Sequence, residues 1–115
     1  MSNKIYTFNH DVPRLISNVI NWAEERNIIK GGTSKDQCLK LIQEVGELSN
    51  NLCKGNDPID DIGDCLVVLA ILAEQNSLTV AQCLEHAFND IKHRKGMMID
   101  GVFVKQQDLH EQELS

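Results

Sequence analysis

The 115-residue chain has only two prolines, seven glycines and five aromatic residues, Tyr6, Phe8, Trp22, Phe88 and Phe103. A core made without aromatics must come from Leu, Ile, Val and Ala, a mixture that favours helices over a β-sandwich. The four cysteines (Cys38, Cys53, Cys65, Cys83) stand singly, with no Cys-x-x-Cys pair. That spacing excludes a zinc ribbon and a disulfide framework and leads to the expectation of a reducing, cytoplasmic setting. The longest apolar run, Cys65 to Ala73, is nine residues, too short to cross a bilayer. The start of the chain lacks a basic region followed by an apolar stretch, so no signal peptide is expected. Bases are the minority, 11 against 17 acids, for a net charge of −6, which argues against a duplex nucleic-acid partner. There is no P-loop, no Gly-x-Gly-x-x-Gly and no Gly-x-Ser-x-Gly elbow. The histidines at 10, 86, 93 and 110 form no metal-ligand spacing with one another.

What remains is helical periodicity. It places four helices, at about 12–26, 34–54, 58–75 and 79–95, in a single all-α domain that resembles a four-helix bundle, with a tail over 97–115. Leu15, Ile16, Val19, Ile20 and Ala23 form the stripe of the first helix, and Gly31-Gly32 breaks the chain after it. Ser34 with Gln37 reads as a capping box for the second helix, which points Cys38, Leu41, Ile42, Val45, Leu48 and Leu52 inward and stops at Gly55. Asp57-Pro58 opens the third helix. Its centre is apolar on every side, as expected of a helix buried against a second subunit. Thr79 with Gln82 opens the fourth. Val102-Phe103-Val104 reads as a short strand or hairpin arm, and the polar end from 106 to 115 is expected to fray.

One device occurs twice: Glu44-Val45-Gly46-Glu47 and Asp61-Ile62-Gly63-Asp64, separated by thirteen residues. Acids three apart share a helix face, with Cβ atoms about 5–6 Å apart. Two such helices side by side would bring four carboxylates to one small volume, where they repel one another unless a cation sits among them. Oxygen ligands alone suit Mg²⁺, with Mn²⁺ as a substitute. Glycine in a helix interior costs about 1 kcal/mol relative to alanine, and its recurrence suggests that a neighbouring helix or ligand comes close. Solvated acidic helix faces are the plain alternative for either motif taken alone.

Lys92, Arg94 and Lys95 end the fourth helix, either as complements to its dipole or as phosphate ligands. Lys54, at the end of the second helix, has the same two readings. Lys40, four residues before Glu44, reads as an ordinary ion-pair partner. Trp22 reads first as a core anchor and second as a stacking platform for a base.

At these motifs the chain resembles the MazG-like all-α nucleoside triphosphate pyrophosphohydrolases, whose signature is Glu-Glu-x-x-Glu, a gap, Glu-x-x-Asp and a downstream basic segment. The match runs from about Trp22 through Gln43-Glu44-Val45-Gly46-Glu47-Leu48 and Asp61-Ile62-Gly63-Asp64 to Asn89-Asp90-Ile91-Lys92-His93-Arg94-Lys95-Gly96. The resemblance implies a homodimer or a dimer of dimers. It implies hydrolysis of an NTP or dNTP to the monophosphate and pyrophosphate, with Glu44, Glu47, Asp61 and Asp64 as Mg²⁺ ligands. Lys54, Asn89, Lys92, Arg94 and Trp22 then face the substrate, and Glu47, with Glu44, lies nearest the attacking water. Gln43 stands where the signature has its first Glu, and Asp61 is one methylene shorter than the Glu it replaces. A catalytically weak helical module that binds nucleotides or a partner is the alternative these two departures favour.

Overall fold

The computed structural model describes residues 10–109. The chain is mainly helical with one small sheet, in the order α1 (Val12–Glu25), α2 (Ile28–Gly31), α3 (Ser34–Cys53), α4 (Ile59–Gln75), α5 (Val80–Ile91), β1 (Gly96–Ile99) and β2 (Val102–Lys105). It divides into two compact units after Val80.

In the first unit α4 is the central element, packed against α3, α1 and α2. Ala23 of α1 is fully buried, and Val68, Ala70 and Ile71 of α4 complete the small apolar core. Local chemistry sets the boundaries. Asp11 caps α1 by accepting from the Arg14 backbone N–H at 3.2 Å. The cap of α3 is Thr33, whose hydroxyl accepts from the Asp36 backbone at 3.2 Å, one residue ahead of the expected Ser34. Gly55, at φ +74°, ends α3. Its N–H reaches the Leu52 carbonyl and the Asn56 N–H the Asn51 carbonyl, the paired bonds of a Schellman turn. Asp57 opens α4 by accepting from the Ile59 N–H at 3.0 Å.

Two elements depart from the sequence pattern. The break after α1 falls at Asn27, in the left-handed region at φ 56°, and the short helix α2 precedes Gly32. A Cβ at Gly32 would lie 2.5 Å from the Ile28 carbonyl oxygen, so this glycine lets the chain leave α2. The inward stripe expected on α3 is also corrected. Cys38, Ile42, Val45 and Leu52 are exposed, Leu41 and Leu48 are half-buried, and the buried residue of that helix is Glu44.

In the second unit α5 ends at Ile91, four residues before the expected Lys95. The chain then forms the antiparallel hairpin of β1 and β2, with Ile99 opposite Val102. Asp100 and Gly101 both have positive φ, 49° and 82°, as a two-residue type I′ turn requires. Val102-Phe103-Val104 is thus a strand, as expected, and β1 is its partner. Residues 106–109 return to helix rather than fraying; Tyr6, Phe8, His110 and the rest of the tail lie outside the described residues. Among the described residues no single helix is long and apolar enough to cross a membrane.

Candidate functional site

Helices α3 and α4 bring two acidic residues into the interior of the first unit. Glu44 and Asp61 are each only 7% exposed, an unusual placement for carboxylates. Their oxygens are unequally satisfied. Glu44 Oε1 pairs with Lys40 Nζ at 3.1 Å, whereas Glu44 Oε2 is buried with no hydrogen-bond donor among the described residues. Asp61 Oδ2 accepts from Asn51 Nδ2 at 2.7 Å, and Asn51 Oδ1 accepts in turn from Asn56 Nδ2 at 3.1 Å. The Schellman turn that ends α3 therefore orients the amide that holds Asp61.

Asp64 stands in the same field. Its carboxyl titrates above its ordinary 3.8, first because burial disfavours the charge and then because Asp60, Glu44 and Asp61 repel it, with Lys40 opposing the shift. Asp60 and Asp64 are four apart on α4, so Asp60 adds its charge from the neighbouring turn, a contribution the motif spacing did not identify. The Cys65 thiol is pushed up by burial and by Glu44, Asp61 and Asp64, which keeps it protonated rather than nucleophilic. None of the four cysteines is paired.

Three of the four motif acids, Glu44, Asp61 and Asp64, thus share one electrostatic environment. Glu47 is exposed on α3, one turn beyond Glu44. Among the described residues no group of three His, Cys, Asp or Glu side chains is arranged to hold a metal ion. Carboxylate oxygens are the ligand type a hard cation takes, and one of them is buried without a donor among the described residues, but the side chains do not converge on one point. Lys40 and Asn51 each engage one oxygen that such an ion would take.

Gly46 and Gly63 do not serve packing inside the chain. Among the described residues a Cβ at either would meet nothing within 4 Å, so α3 and α4 do not need these glycines to approach each other.

Beside the acids lies a cleft of about 450 Å³ lined by Leu15, Asn18, Val19 and Trp22 of α1 and by Asp64 and Val67 of α4. Trp22 is 45% exposed, not a core anchor, and Arg26 lies over its ring at 4.8 Å from the centroid. The same guanidinium donates to the Trp22 carbonyl at 3.0 Å, which fixes the stack. A larger cleft, about 700 Å³, lies at the opposite ends of α3 and α4 and includes Asn27, Lys30, Ser34 and Gln75. It holds none of the motif acids.

Lys54 is exposed as the C-cap of α3. Asn89, Lys92 and Arg94 belong to the second unit. There Lys92 Nζ donates to Asn89 Oδ1 at 3.3 Å and Arg94 pairs with Asp90 at 3.2 Å. Lys92 and Arg94 fall after α5 rather than on it. Asn51 was missed by reading the acids alone. Its signal is the seven-residue spacing from Glu44, two helical turns along the same face.

The chain matches no protein-family profile, and no solved structure matches it. It is 43% identical over 70 residues to an uncharacterized 18.2 kDa protein from the rep-hol intergenic region of Haemophilus phage HP1. That match covers 59% of this chain but 43% of the phage protein, so the chain spans less than half the length of its relative.

Proposed function

We propose that the protein is a Mg²⁺-dependent nucleoside triphosphate pyrophosphohydrolase of the MazG-like kind, acting in the cytoplasm. The observation that carries this reading is the buried Glu44 carboxylate, whose free oxygen faces no donor, set in one field with Asp61 and Asp64 next to the Trp22 cleft. An acid cluster of this type takes a hard cation, and an aromatic face opening beside it takes a base.

The reaction adds water across a phosphoanhydride bond, releasing the monophosphate and pyrophosphate. Glu44, Asp61 and Asp64, with Glu47, would hold Mg²⁺ (or Mn²⁺); when bound, the ion supplies charge neutralisation at the triphosphate oxygens and a more acidic water. Asn51 keeps the Asp61 carboxylate turned toward α3. Glu47, exposed to solvent, is the residue proposed to accept the proton of the attacking water. The Trp22 ring, held flat by Arg26, offers the base a stacking surface. Lys54, Asn89, Lys92 and Arg94 are the proposed phosphate contacts, with Lys92 and Arg94 stabilising the departing pyrophosphate.

The subunit is proposed to work as a homodimer or homotetramer. Leu39, Ile42, Val45 and Leu52 on α3 and Ile59, Ile62, Leu66 and Leu69 on α4 are all exposed, at helical spacing. A second copy of the chain would cover these stripes, since rows of exposed apolar residues at helical spacing mark interaction surfaces. Neither duplex nucleic acid nor a membrane is among the proposed partners.

Pyrophosphate release measured across all NTPs and dNTPs, with and without Mg²⁺, tests the activity. Mg²⁺-dependent turnover of at least one substrate is expected. No turnover, together with no thermal stabilisation by Mg²⁺, would instead favour a catalytically weak nucleotide- or partner-binding module. The ties from Lys40 and Asn51 to the acids are the feature that favours that rival.

A further inference from the structure

The second unit has a local charge opposite to that of the whole chain. Between residues 92 and 105, Lys92, Arg94, Lys95 and Lys105 stand against one acid, Asp100, although the net charge of the chain is −6. The fold gathers three of these bases at the stem of the hairpin. The Gln106 N–H donates to the Lys95 carbonyl at 2.9 Å, which extends the pairing of β1 and β2 and draws Lys95 in beside Lys105. A cleft of about 460 Å³ opens there, lined by His93, Arg94, Lys95 and Lys105, with Asp90 as its acid. Arg94 already engages Asp90 at 3.2 Å. Among the described residues Lys95 and Lys105 pair with no acid. Unpaired cations along a polar cleft attract an anionic ligand.

An aromatic ring lies beside this cleft. Residues opposite one another in an antiparallel pair share a face, as do residues two apart on one strand. Lys105 is opposite Gly96 and Phe103 is opposite Met98, so these four occupy one face of the hairpin. A Cβ at Gly96 would lie 2.6 Å from Phe103 Cζ. The ring therefore leans along the sheet over the glycine, toward the stem that carries Lys105. Phe103 remains 47% exposed and Met98 64%.

We infer that this face binds single-stranded nucleic acid, with Phe103 stacking a base and Lys95 and Lys105 meeting the flanking phosphates. The inference stands apart from the hydrolase reading, in which neither Phe103 nor these two lysines has a part. Chemistry selects the occupant. Every base has a π face, and an unpaired strand leaves that face free to stack, whereas a duplex offers chiefly its phosphates. The two cations sit on opposite sides of the stem, Lys95 before β1 and Lys105 at the end of β2, and so follow a chain of phosphates. A second copy docked symmetrically on the same face would bring like charges together.

The test is fluorescence anisotropy of a labelled short oligothymidylate added to the full chain across a KCl series. The wild type is compared with Lys95→Gln, Lys105→Gln and Phe103→Leu. The wild type is expected to bind, with affinity falling on a log–log plot by about 0.7 per phosphate engaged. Each lysine variant should bind more weakly and lower that slope by about 0.7. Phe103→Leu keeps an apolar cover over Gly96; it should keep the slope and weaken binding about fivefold or more. Should the leucine variant fail to fold, the two exposed lysines still decide the matter. Duplex of the same length, thymidine monophosphate and vesicles of phosphatidylglycerol serve as competitors, and each is expected to compete poorly. No binding by the wild type at low salt, or equal binding by all folded variants, would overturn the inference. So would equal competition by the mononucleotide or the duplex, or displacement by the vesicles alone. None of these readouts depends on turnover, so failure of the hydrolase reading leaves the test intact.

Discussion

Asn51 donates from Nδ2 to Asp61 Oδ2 at 2.7 Å, a bond between α3 and α4 made at the point where an acid has been taken out of water. Its strength comes from a charged acceptor and from position, since Asp61 is 7% exposed. Replacement of Asn51 by Ala leaves that oxygen without its donor. The expected loss of stability is about 1–3 kcal/mol by urea unfolding. Asn51→Asp should cost more in metal-free buffer, by placing a like charge on Asp61, and Mg²⁺ should restore most of the difference.

The raised titration of Asp64 sets a direction with pH. In the folded chain the proton is held more strongly than at the ordinary value of 3.8. The fold therefore loses stability as pH climbs from below 3.8 through the raised folded value, and beyond that the penalty is constant. Asp64→Asn removes the penalty. The variant should match the wild type in denaturant midpoint at pH 3 and exceed it at pH 7 in metal-free buffer. Mg²⁺ favours the ionised carboxylate, so saturation with the ion should erase the advantage. An advantage equal at both pH values would refute the electrostatic account.

Gly46 and Gly63 discriminate between what the single chain needs and what an additional occupant needs. Among the described residues neither glycine has a neighbour within 4 Å of an added Cβ. For the isolated subunit each change to Ala should stabilise by about 0.5–1 kcal/mol, the helix-propensity difference. If a second copy or a substrate packs over these positions, the same changes should weaken self-association or raise KM instead. Sedimentation of Gly46→Ala and Gly63→Ala across a concentration series, beside their unfolding curves, separates the two.

The long helices and the acid motif were legible because each has a local cause. Period-3.6 apolar spacing marks α1 and α3, Asp57-Pro58 and a continuous apolar centre mark α4, and Gly55 ends α3 through a φ that favours glycine. The capping of α3 shifted by one residue because Thr33 and Ser34 are chemically equivalent as caps, and only the backbone decides between them. The short helix α2 was illegible because four residues have no period. The hairpin had a usable signal in Asp100-Gly101, a dipeptide that favours the positive φ both residues adopt. In the candidate site, Glu44, Asp61 and Asp64 were found from spacing. Asn51 and the wider reach of Lys40 were not, because amides and lysines on helices are common and only burial of the acid gives them importance. The apolar residues expected inside but exposed, such as Ile42 and Leu66, show that amphipathic pattern marks what a helix can bury and not which surface covers it.

Glu47 and Trp22 allow chemistry to be separated from binding. Glu47 is exposed, so its substitution should leave folding within about 0.5 kcal/mol of the wild type. Trp22→Ala also loses a half-buried ring and its Arg26 stack, and should cost about 1 kcal/mol or more of stability, read from unfolding curves beside the kinetics. Glu47→Gln removes the proposed proton acceptor while preserving shape, and kcat for Mg²⁺-dependent pyrophosphate release should fall about 10²- to 10⁴-fold with KM little changed. Trp22→Ala removes the stacking face of the cleft it shares with Asp64. There KM should rise about tenfold or more, because base–aromatic stacking contributes about 1–3 kcal/mol, with kcat less affected. A Glu47→Gln protein with full activity would move the proton-accepting role to a carboxylate of the buried cluster. A Trp22→Ala protein with unchanged KM would place the base away from α1, and the cleft beside Asp64 would then have to be read as a surface for another chain.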